Sequence, residues 1–177
     1  ILPWKEQFDL RDGGYRRAPK FPLPNNWLFF LRYGVLAQDE ETLNHVHFTL
    51  EKIANGGIYD HIGGGFARYS VDGKWHVPHF EKMLYDNGQL ISLYSEAYQQ
   101  QPNILYKKIV FETIEWAKRE MLANNGGFYS ALDADSEGVE GKFYTFDYNE
   151  FDILGEDADL AREYFNITKN GNWSEEQ

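Results

Sequence analysis

Apolar residues recur at helical spacing in four stretches of the chain. This spacing predicts four helices, which begin after Pro24 and then cover about residues 40–54, 79–101 and 104–122. Asn25 or Asn26 is placed to cap the first helix, and Gly56 follows the second, where a helix commonly ends. Because short connections join antiparallel neighbours, we predict two helical hairpins, at residues 25–55 and 79–123.

Two glycine-rich connectors follow these hairpins, at residues 56–78 and 124–147. The sequence GGIYD at position 56 is echoed by GGFYS at position 126, and a third helical pattern opens in residues 148–177. Repeated hairpins stack because one hairpin cannot bury its apolar face alone. We therefore predict an all-α fold of antiparallel hairpins with short β ribbons between them. The periodicity leaves open whether the array forms a superhelix or closes into a ring.

The first 24 residues interrupt this pattern. Their segment APKFPLP holds three prolines, which remove backbone donors and exclude a helix interior, so we predict an extended arm over residues 1–24. The chain begins at Ile1 rather than Met and stops without an obvious final element, which suggests an excerpt of a longer protein. We interpret residues 1–177 as one structural fragment.

Composition narrows the classes of partner. The formal net charge is −11 and no basic face stands out, which argues against nucleic-acid binding. The chain contains no cysteine, so disulfides, thiolate zinc sites and thiol nucleophiles are excluded. It has no long apolar run and no leader-like segment, so we expect a cytoplasmic protein without a membrane partner. Aromatic residues are frequent at 17%, which suits a ring-packed core or a pocket for an organic ligand.

The first connector and the helix after it concentrate groups that can transfer protons. His79 and Glu81 are predicted at the start of the third helix, where the macrodipole would stabilise the carboxylate. They can serve as a proton donor and acceptor, and capping or packing explains them about as well. Lys82 and Asp86 have the i, i+4 spacing of a surface pair. His47, on an apolar helix face, is interpreted as a hydrogen-bonded core residue.

The second connector carries the acidic residues Asp133, Asp135 and Glu137. Their spacing begins like an EF-hand loop, but position twelve is Tyr144 instead of the required glutamate. We interpret them as carboxylates of a tight turn, either solvated or directed into a cleft. His76 and His79 alone do not make a zinc site. The chain lacks nucleotide-binding fingerprints, and we expect neither metal nor cofactor.

Three segments, APKFP at 18–22, GGIYDHIGGGFARYSVDGKWHVPHFEKMLYDN at 56–87 and GGFYSALDADSEGVEGKFY at 126–144, resemble the family of spermatogenesis-associated protein 20 and its bacterial relatives. That resemblance implies a thioredoxin-like domain followed by an (α/α)6 toroid of the six-hairpin type, related to N-acylglucosamine 2-epimerases and glycosidases. This chain would form the first hairpins of the toroid. Carried over by position, the residues that would face the toroid's cleft are Tyr59, Asp60, His61, Arg68, Trp75, His79, Glu81, Asp133, Asp135 and Glu137.

The resemblance suggests a carbohydrate-active domain that performs sugar isomerisation, epimerisation or glycoside hydrolysis. His79, Glu81 and Asp133 would be catalytic, and the other seven cleft residues would bind a sugar-like ligand. Hydrolysis would require two carboxylates about 5 Å apart for retention or roughly 6.5–9.5 Å apart for inversion, with Glu81 and Asp133 as the pair. The alternative is a non-catalytic helical scaffold, in which the charged residues form buried pairs. Helix faces left uncovered in a partial ring would favour self-association.

Overall fold

The computed structural model describes residues 1–172. Residues 173–177, the last part of the segment 148–177 that was predicted to begin a third hairpin, lie outside the described residues. The chain divides into two compact units, residues 1–134 and 135–177. Each unit is described by itself.

The first unit contains the two predicted hairpins. Its helices are α1 (Leu2–Lys5), α2 (Pro24–Ala37), α3 (Glu40–Asn55), α4 (Leu84–Gln100) and α5 (Ile104–Trp116). A π-helical turn, Ala117–Met121, continues α5. Helix α2 packs against α3 and α4, and α4 packs against α5. Periodicity therefore located both hairpins, and about half of the chain is helical.

Short antiparallel strand pairs lie between the helices of the first unit. They are β1 (Tyr69–Ser70) with β2 (Pro78–His79), and β3 (Lys82–Met83) with β4 (Ala131–Leu132). An isolated bridge also joins Lys20 to Ser70. These pairs confirm the short β ribbons predicted between hairpins.

The second unit is small. Strands β5 (Asp135–Ser136) and β6 (Val139–Glu140) form an antiparallel hairpin, and a 3-10 helix (Tyr148–Asp157) precedes α6 (Ala158–Tyr164). Arg162 of α6 donates two hydrogen bonds to the Tyr148 carbonyl, and its guanidinium lies 4.2 Å from the centre of the Tyr148 ring. These contacts tie α6 to the 3-10 helix.

The core of the first unit is rich in aromatic rings. Trp27, Phe30 and Tyr94 are fully buried, and the Tyr94 hydroxyl donates to the Leu50 carbonyl at 2.7 Å. His47 lies 2.9 Å from the Tyr106 hydroxyl and 2.6 Å from Gln100 Oε1. This confirms His47 as a hydrogen-bonded core residue.

An aspartate-glycine turn occurs twice in the first unit. The Asp9 carboxylate accepts from the amides of residues 11 and 12, and the Asp60 carboxylate accepts from those of residues 62 and 63. Each turn ends in a left-handed glycine against a buried indole, Gly14 (φ +71°) on Trp75 and Gly65 (φ +80°) on Trp116. Glycine is required because a Cβ would lie 2.8 Å from the first indole and 2.5 Å from the second.

A buried lysine completes each turn. Lys20 donates to the Asp9 carboxylate at 2.7 Å and Lys82 donates to the Asp60 carboxylate at 2.8 Å. Their ammonium groups also lie 5.3 Å and 5.4 Å from the centres of the Trp75 and Trp116 rings, respectively. The two turns are therefore copies of one structural module.

Three local predictions were wrong. The arm over residues 1–24 is not extended throughout, because α1 and the first aspartate-glycine turn lie within it. Neither Asn25 nor Asn26 caps α2, which begins at Pro24 with Leu23 as its N-cap. The third predicted helix begins at Leu84 rather than near residue 79, because the preceding residues pair with β4.

Candidate functional site

Strand pairing brings together three predicted site residues from the first connector. Arg68 precedes β1, His79 ends β2 and Glu81 follows it. In the β1–β2 register Tyr69 lies opposite His79, and the Arg68 amide donates to the Glu81 carbonyl at 2.9 Å. The β1–β2 pairing therefore brings His79 and Glu81 next to Arg68.

The three side chains form one charged cluster. Arg68 Nη1 lies 3.1 Å from Glu81 Oε2, and His79 Nε2 lies 3.8 Å from the same oxygen. The Arg68 side chain is 40% exposed, and those of His79 and Glu81 are each 25% exposed. A ligand in solution can therefore reach the cluster, which combines a guanidinium, an imidazole and a carboxylate.

Aromatic packing holds the imidazole in place. The His79 ring stacks on Tyr69 with centroids 4.8 Å apart, and Tyr69 stacks on Phe21 with centroids 4.5 Å apart. The proline-rich segment before α2 thus supports the cluster from behind Tyr69.

Glu81 is not in a helix, so the expected macrodipole effect on its carboxylate was wrong. Lys82 and Met83 pair with Leu132 and Ala131, which keeps the chain extended up to α4. The predicted surface pair of Lys82 with Asp86 was also wrong, because Lys82 is buried against Asp60.

The register of β3 and β4 relates Glu81 to Asp133. Lys82 and Leu132 form the last pair of this ladder, and Glu81 and Asp133 are the residues just beyond it. Asp133 is exposed, and it belongs to the first unit with Glu81.

Two residues at the start of α4 join this cluster, and sequence analysis did not assign them to the site. Tyr85 is 49% exposed, and both Tyr85 and Asp86 lie close enough to Arg68 to interact electrostatically with its guanidinium. Burial and the neighbouring Glu81 carboxylate raise the pKa of Asp86, with Arg68 acting in the opposite direction. Their positions just after His79 and Glu81 in sequence were a signal for both.

Asp60 and Trp75 occupy structural positions instead. Burial alone would raise the pKa of Asp60, but the Lys82 ammonium and two backbone amides outweigh it and lower that pKa. Trp75 is fully buried, and its indole N–H donates to the Asp12 carbonyl at 2.8 Å. This position gives no support to the expected stacking of Trp75 on a sugar.

Tyr59 and His61 are held by contacts of their own. Tyr59 is 2% exposed and its hydroxyl donates to Glu112 at 2.5 Å, while burial and that carboxylate raise the pKa of the phenol. The exposed His61 ring lies 3.0 Å from the Gly56 carbonyl. The structure therefore shows no direct contact of either residue with the Arg68 cluster within residues 1–172.

Asp135 and Glu137 lie in the second unit. Asp135 pairs with Glu140 across the β5–β6 hairpin, and Glu137 and Gly138 form its two-residue turn with φ of +54° and +77°. Glu137 is also ion-paired with Lys142. Their proposed part in a sugar site stays a prediction.

Two further searches concern metals and membranes. Within residues 1–172, no three His, Asp or Glu side chains are grouped so as to hold a metal ion. None of the helices in that part of the chain combines the length and apolar character of a membrane span.

Sequence comparison identifies relatives of the chain. It is 38% identical over 193 residues to human spermatogenesis-associated protein 20, covering 97% of this chain and 25% of the human protein. The mouse protein of that name is 41% identical over 159 residues, covering 84% of this chain and 20% of the mouse protein. The chain is homologous to spermatogenesis-associated protein 20. It spans at most about a quarter of the length of these curated relatives. No protein-family model matches it.

Solved structures with a similar fold include sugar epimerases and a D-mannose isomerase. A sugar epimerase from a ruminal bacterium aligns with a TM-score of 0.67 and 17% identity, covering 77% of this chain and 41% of that protein. Cellobiose 2-epimerase from Bacillus thermoamylovorans gives a TM-score of 0.65 and 16% identity, covering 94% and 50%. A D-mannose isomerase aligns with a TM-score of 0.53 and 16% identity, covering 73% of this chain and 32% of that protein. These similarities confirm the predicted fold class, part of an (α/α)6 toroid.

Proposed function

We propose that the Arg68 cluster is part of a sugar site that performs acid–base chemistry. One observation carries the proposal: Arg68 and His79 both lie within 4 Å of the same carboxylate oxygen of Glu81, whose side chain is partly exposed. Imidazole and carboxylate groups are common proton-transfer groups, and a guanidinium can orient hydroxyl or carbonyl oxygens of a ligand. The similar folds of sugar epimerases and an isomerase support sugars as the ligand class.

Isomerisation or epimerisation is favoured over hydrolysis. Solved structures of similar fold include two sugar epimerases and an isomerase. Both reactions move a proton next to a carbonyl group, which requires an acid and a base but no water. Glycoside hydrolysis by Glu81 and Asp133 is the less favoured member of this proposal, and the distance between their two carboxyl groups is the quantity that tests it.

The charge of the cluster favours a neutral sugar over a phosphorylated one. Arg68 is already paired with Glu81, and Asp86 and Asp133 add further carboxyl groups nearby. A phosphate would therefore meet like charges, which cost binding energy unless a cation is free to compensate them. Tyr85, with half of its surface exposed, is the aromatic ring placed to stack on a sugar face.

A thermal-shift screen tests the proposal. Cellobiose, D-mannose and N-acetylglucosamine are compared with mannose 6-phosphate, because a bound ligand stabilises the folded state by mass action. We expect a neutral sugar to raise the melting temperature of the unaltered protein and to raise that of Glu81→Gln by a smaller amount. The matched control is Glu96→Gln, whose carboxylate pairs with Arg32 on the exposed side of α4 at 2.5 Å. If no sugar in the panel raises the melting temperature, or if a sugar raises it equally in Glu81→Gln and Glu96→Gln, a sugar site at Glu81 is contradicted.

A scaffold function is the second candidate, and the two buried lysine–aspartate pairs favour it. The side chains of Lys20 and Lys82 are 1% and 3% exposed, and each ammonium group is ion-paired with the aspartate of a turn. Self-association through exposed apolar residues of α2 and α5, such as Leu36 (87%) and Ile104 (79%), belongs to this candidate. The scaffold function is supported if no sugar raises the melting temperature and the chain oligomerises.

A further inference from the structure

Asp86 occupies the first turn of α4, next to the cluster. The helix begins at Leu84, whose amide donates to the Ser130 carbonyl at 2.9 Å, so the start of α4 is fixed against the second connector. The Asp86 side chain is half-buried, and the charged groups acting on it are Arg68 and Glu81. The next residue, Asn87, exchanges two hydrogen bonds with the Phe66 backbone, at 2.7 Å and 3.0 Å, which fixes this turn beside the segment that carries Arg68. Asp86 is thus held near the central ion pair.

The contacts of Asp86 differ from those of most other half-buried aspartates in the first unit. Asp9, Asp39 and Asp60 each accept a hydrogen bond from a lysine and at least one from a backbone amide. Asp72 accepts from three backbone amides. Within residues 1–172 the Asp86 carboxyl forms no hydrogen bond or close ion pair. Half-buried Asp12 likewise has only a 3.9 Å ion pair, with Arg11, but it lies in the first aspartate-glycine turn. Asp86 is therefore the half-buried aspartate beside the Arg68 cluster whose oxygens stay available to a ligand.

Glu81 and Asp86 have opposite environments. Glu81 is ion-paired with the Arg68 guanidinium at 3.1 Å, whereas Asp86 is half-buried beside this pair and accepts no hydrogen bond of its own within residues 1–172. Neighbouring carboxyl groups with environments that differ in this way commonly divide the roles of ion and acid. A raised pKa also keeps more of the Asp86 carboxyl protonated towards neutral pH.

We propose that Asp86 is the catalytic acid of the site, with Glu81 and Arg68 as its positioning residues. The assignment rests on the sugar chemistry proposed above. In the forward step His79 takes the proton from the carbon next to the sugar carbonyl. The C–H electron pair forms the carbon–carbon double bond of an enediol, and the carbonyl oxygen takes the proton of Asp86. If His79 delivers its proton to C1 and the C2 hydroxyl gives its proton to Asp86, the product is the keto isomer. If the enediol turns so that His79 delivers the proton to the opposite face of C2, and the C1 hydroxyl gives its proton to Asp86, the product is the epimer. Both groups are regenerated in either case, and no oxidant or reductant is consumed.

Two measurements test this assignment on the same samples. The first is carbon-13 NMR of the aspartate carboxyl groups through a pH titration, with the Asp86 signal identified by its loss in Asp86→Asn. We expect this carboxyl to titrate above the ordinary aspartate value of about 3.9 and to move towards it in Glu81→Gln. A titration at or below that value overturns the assignment whatever sugar the protein binds.

The second measurement is deuterium exchange at C2 of cellobiose or D-mannose in D2O, followed by proton NMR. We expect Asp86→Asn to slow exchange by about 100-fold or more, the usual contribution of general acid catalysis, and Glu96→Gln to leave it unchanged. Asp86→Glu keeps an acid on a longer side chain and should recover part of the rate, which also guards against a folding defect in Asp86→Asn. Equal rates in Asp86→Asn and the unaltered protein overturn the assignment.

The two measurements separate failure of the assignment from failure of the proposed function. If the unaltered protein exchanges no sugar proton although Asp86 titrates high, the sugar chemistry is overturned, and Asp86's catalytic role falls with it. If exchange occurs but Asp86 titrates normally or is dispensable, the sugar chemistry stands and only Asp86 is excluded.

Discussion

Lys82→Met should strongly destabilise the first unit. The substitution keeps an apolar stem of similar length and removes the ammonium group, which lies 2.8 Å from Asp60 Oδ2 and 2.9 Å from the Gly64 carbonyl. Lys82 is 3% exposed and the Asp60 side chain is 19% exposed, so the carboxylate would be left with little water. Removing one partner of a buried ion pair costs about 3–5 kcal/mol.

The lower end of that range applies here. Asp60 keeps two backbone amide bonds, from residues 62 and 63, and some contact with solvent. We therefore expect a loss of about 3 kcal/mol in the free energy of unfolding. For a chain of this length that loss corresponds to a melting temperature lower by about 6–12 °C.

Urea unfolding followed by circular dichroism measures this loss. The matched control is Lys118→Met, which removes an ion pair of the same 2.8 Å length from a lysine that is 58% exposed. An exposed pair contributes only about 0.2–1 kcal/mol. Adding Asp60→Asn to Lys82→Met should recover part of the loss, because no buried charge is then left alone. Equal effects of Lys82→Met and Lys118→Met would refute the interpretation of Lys82 as a structural ion-pair partner.

Three further predictions concern stability and assembly. Gly65→Ala should cost more than about 1 kcal/mol, and more than Gly126→Ala, because both glycines have positive φ but only a Cβ at position 65 meets a ring; equal unfolding free energies would contradict this. Burial lowers the pKa of His45 below 6.5, so its contribution to stability is present above about pH 6.5 and is lost as the pH falls. Urea unfolding at pH 7.5 and at pH 5.0 should therefore show a smaller loss of stability between the two pH values in His45→Gln than in the unaltered protein. Sedimentation velocity should show self-association that weakens in Leu36→Gln, and a monomer at every concentration would argue against an apolar interface.

Local patterns were sufficient to predict the helices of the two hairpins. The predicted helix at 40–54 closely matches Glu40–Asn55, because its apolar stripe is uninterrupted and its ends carry Asp39 as an N-cap and Gly56 as a C-cap. The start of α4 was misplaced because the two-residue strand β3 pairs with residues about 50 positions away. Such pairing leaves no trace in a helical periodicity.

The candidate site was predictable in part for the same reason. Arg68, His79 and Glu81 were selected by residue type and by their place around the glycine ribbon, and strand pairing does bring them together. The spacing of Lys82 and Asp86 indicated a surface pair, but Lys82 bonds to Asp60 22 positions earlier. A comparison of FDLRDGGY at position 8 with YDHIGGGF at position 59 would have indicated the repeated turn, since both have an aspartate before a glycine pair.

Histidine side-chain NMR during a titration with neutral sugars tests the central claim most directly. The chain has five histidines, and buried His45, which stacks on Phe8 with centroids 4.0 Å apart, serves as an internal control. If the cluster of Arg68, His79 and Glu81 binds sugar, the ring signals of His79 will shift saturably with cellobiose or D-mannose while those of His45 stay in place. Unchanged His79 signals, or equal shifts at both histidines, would contradict a sugar site at this cluster.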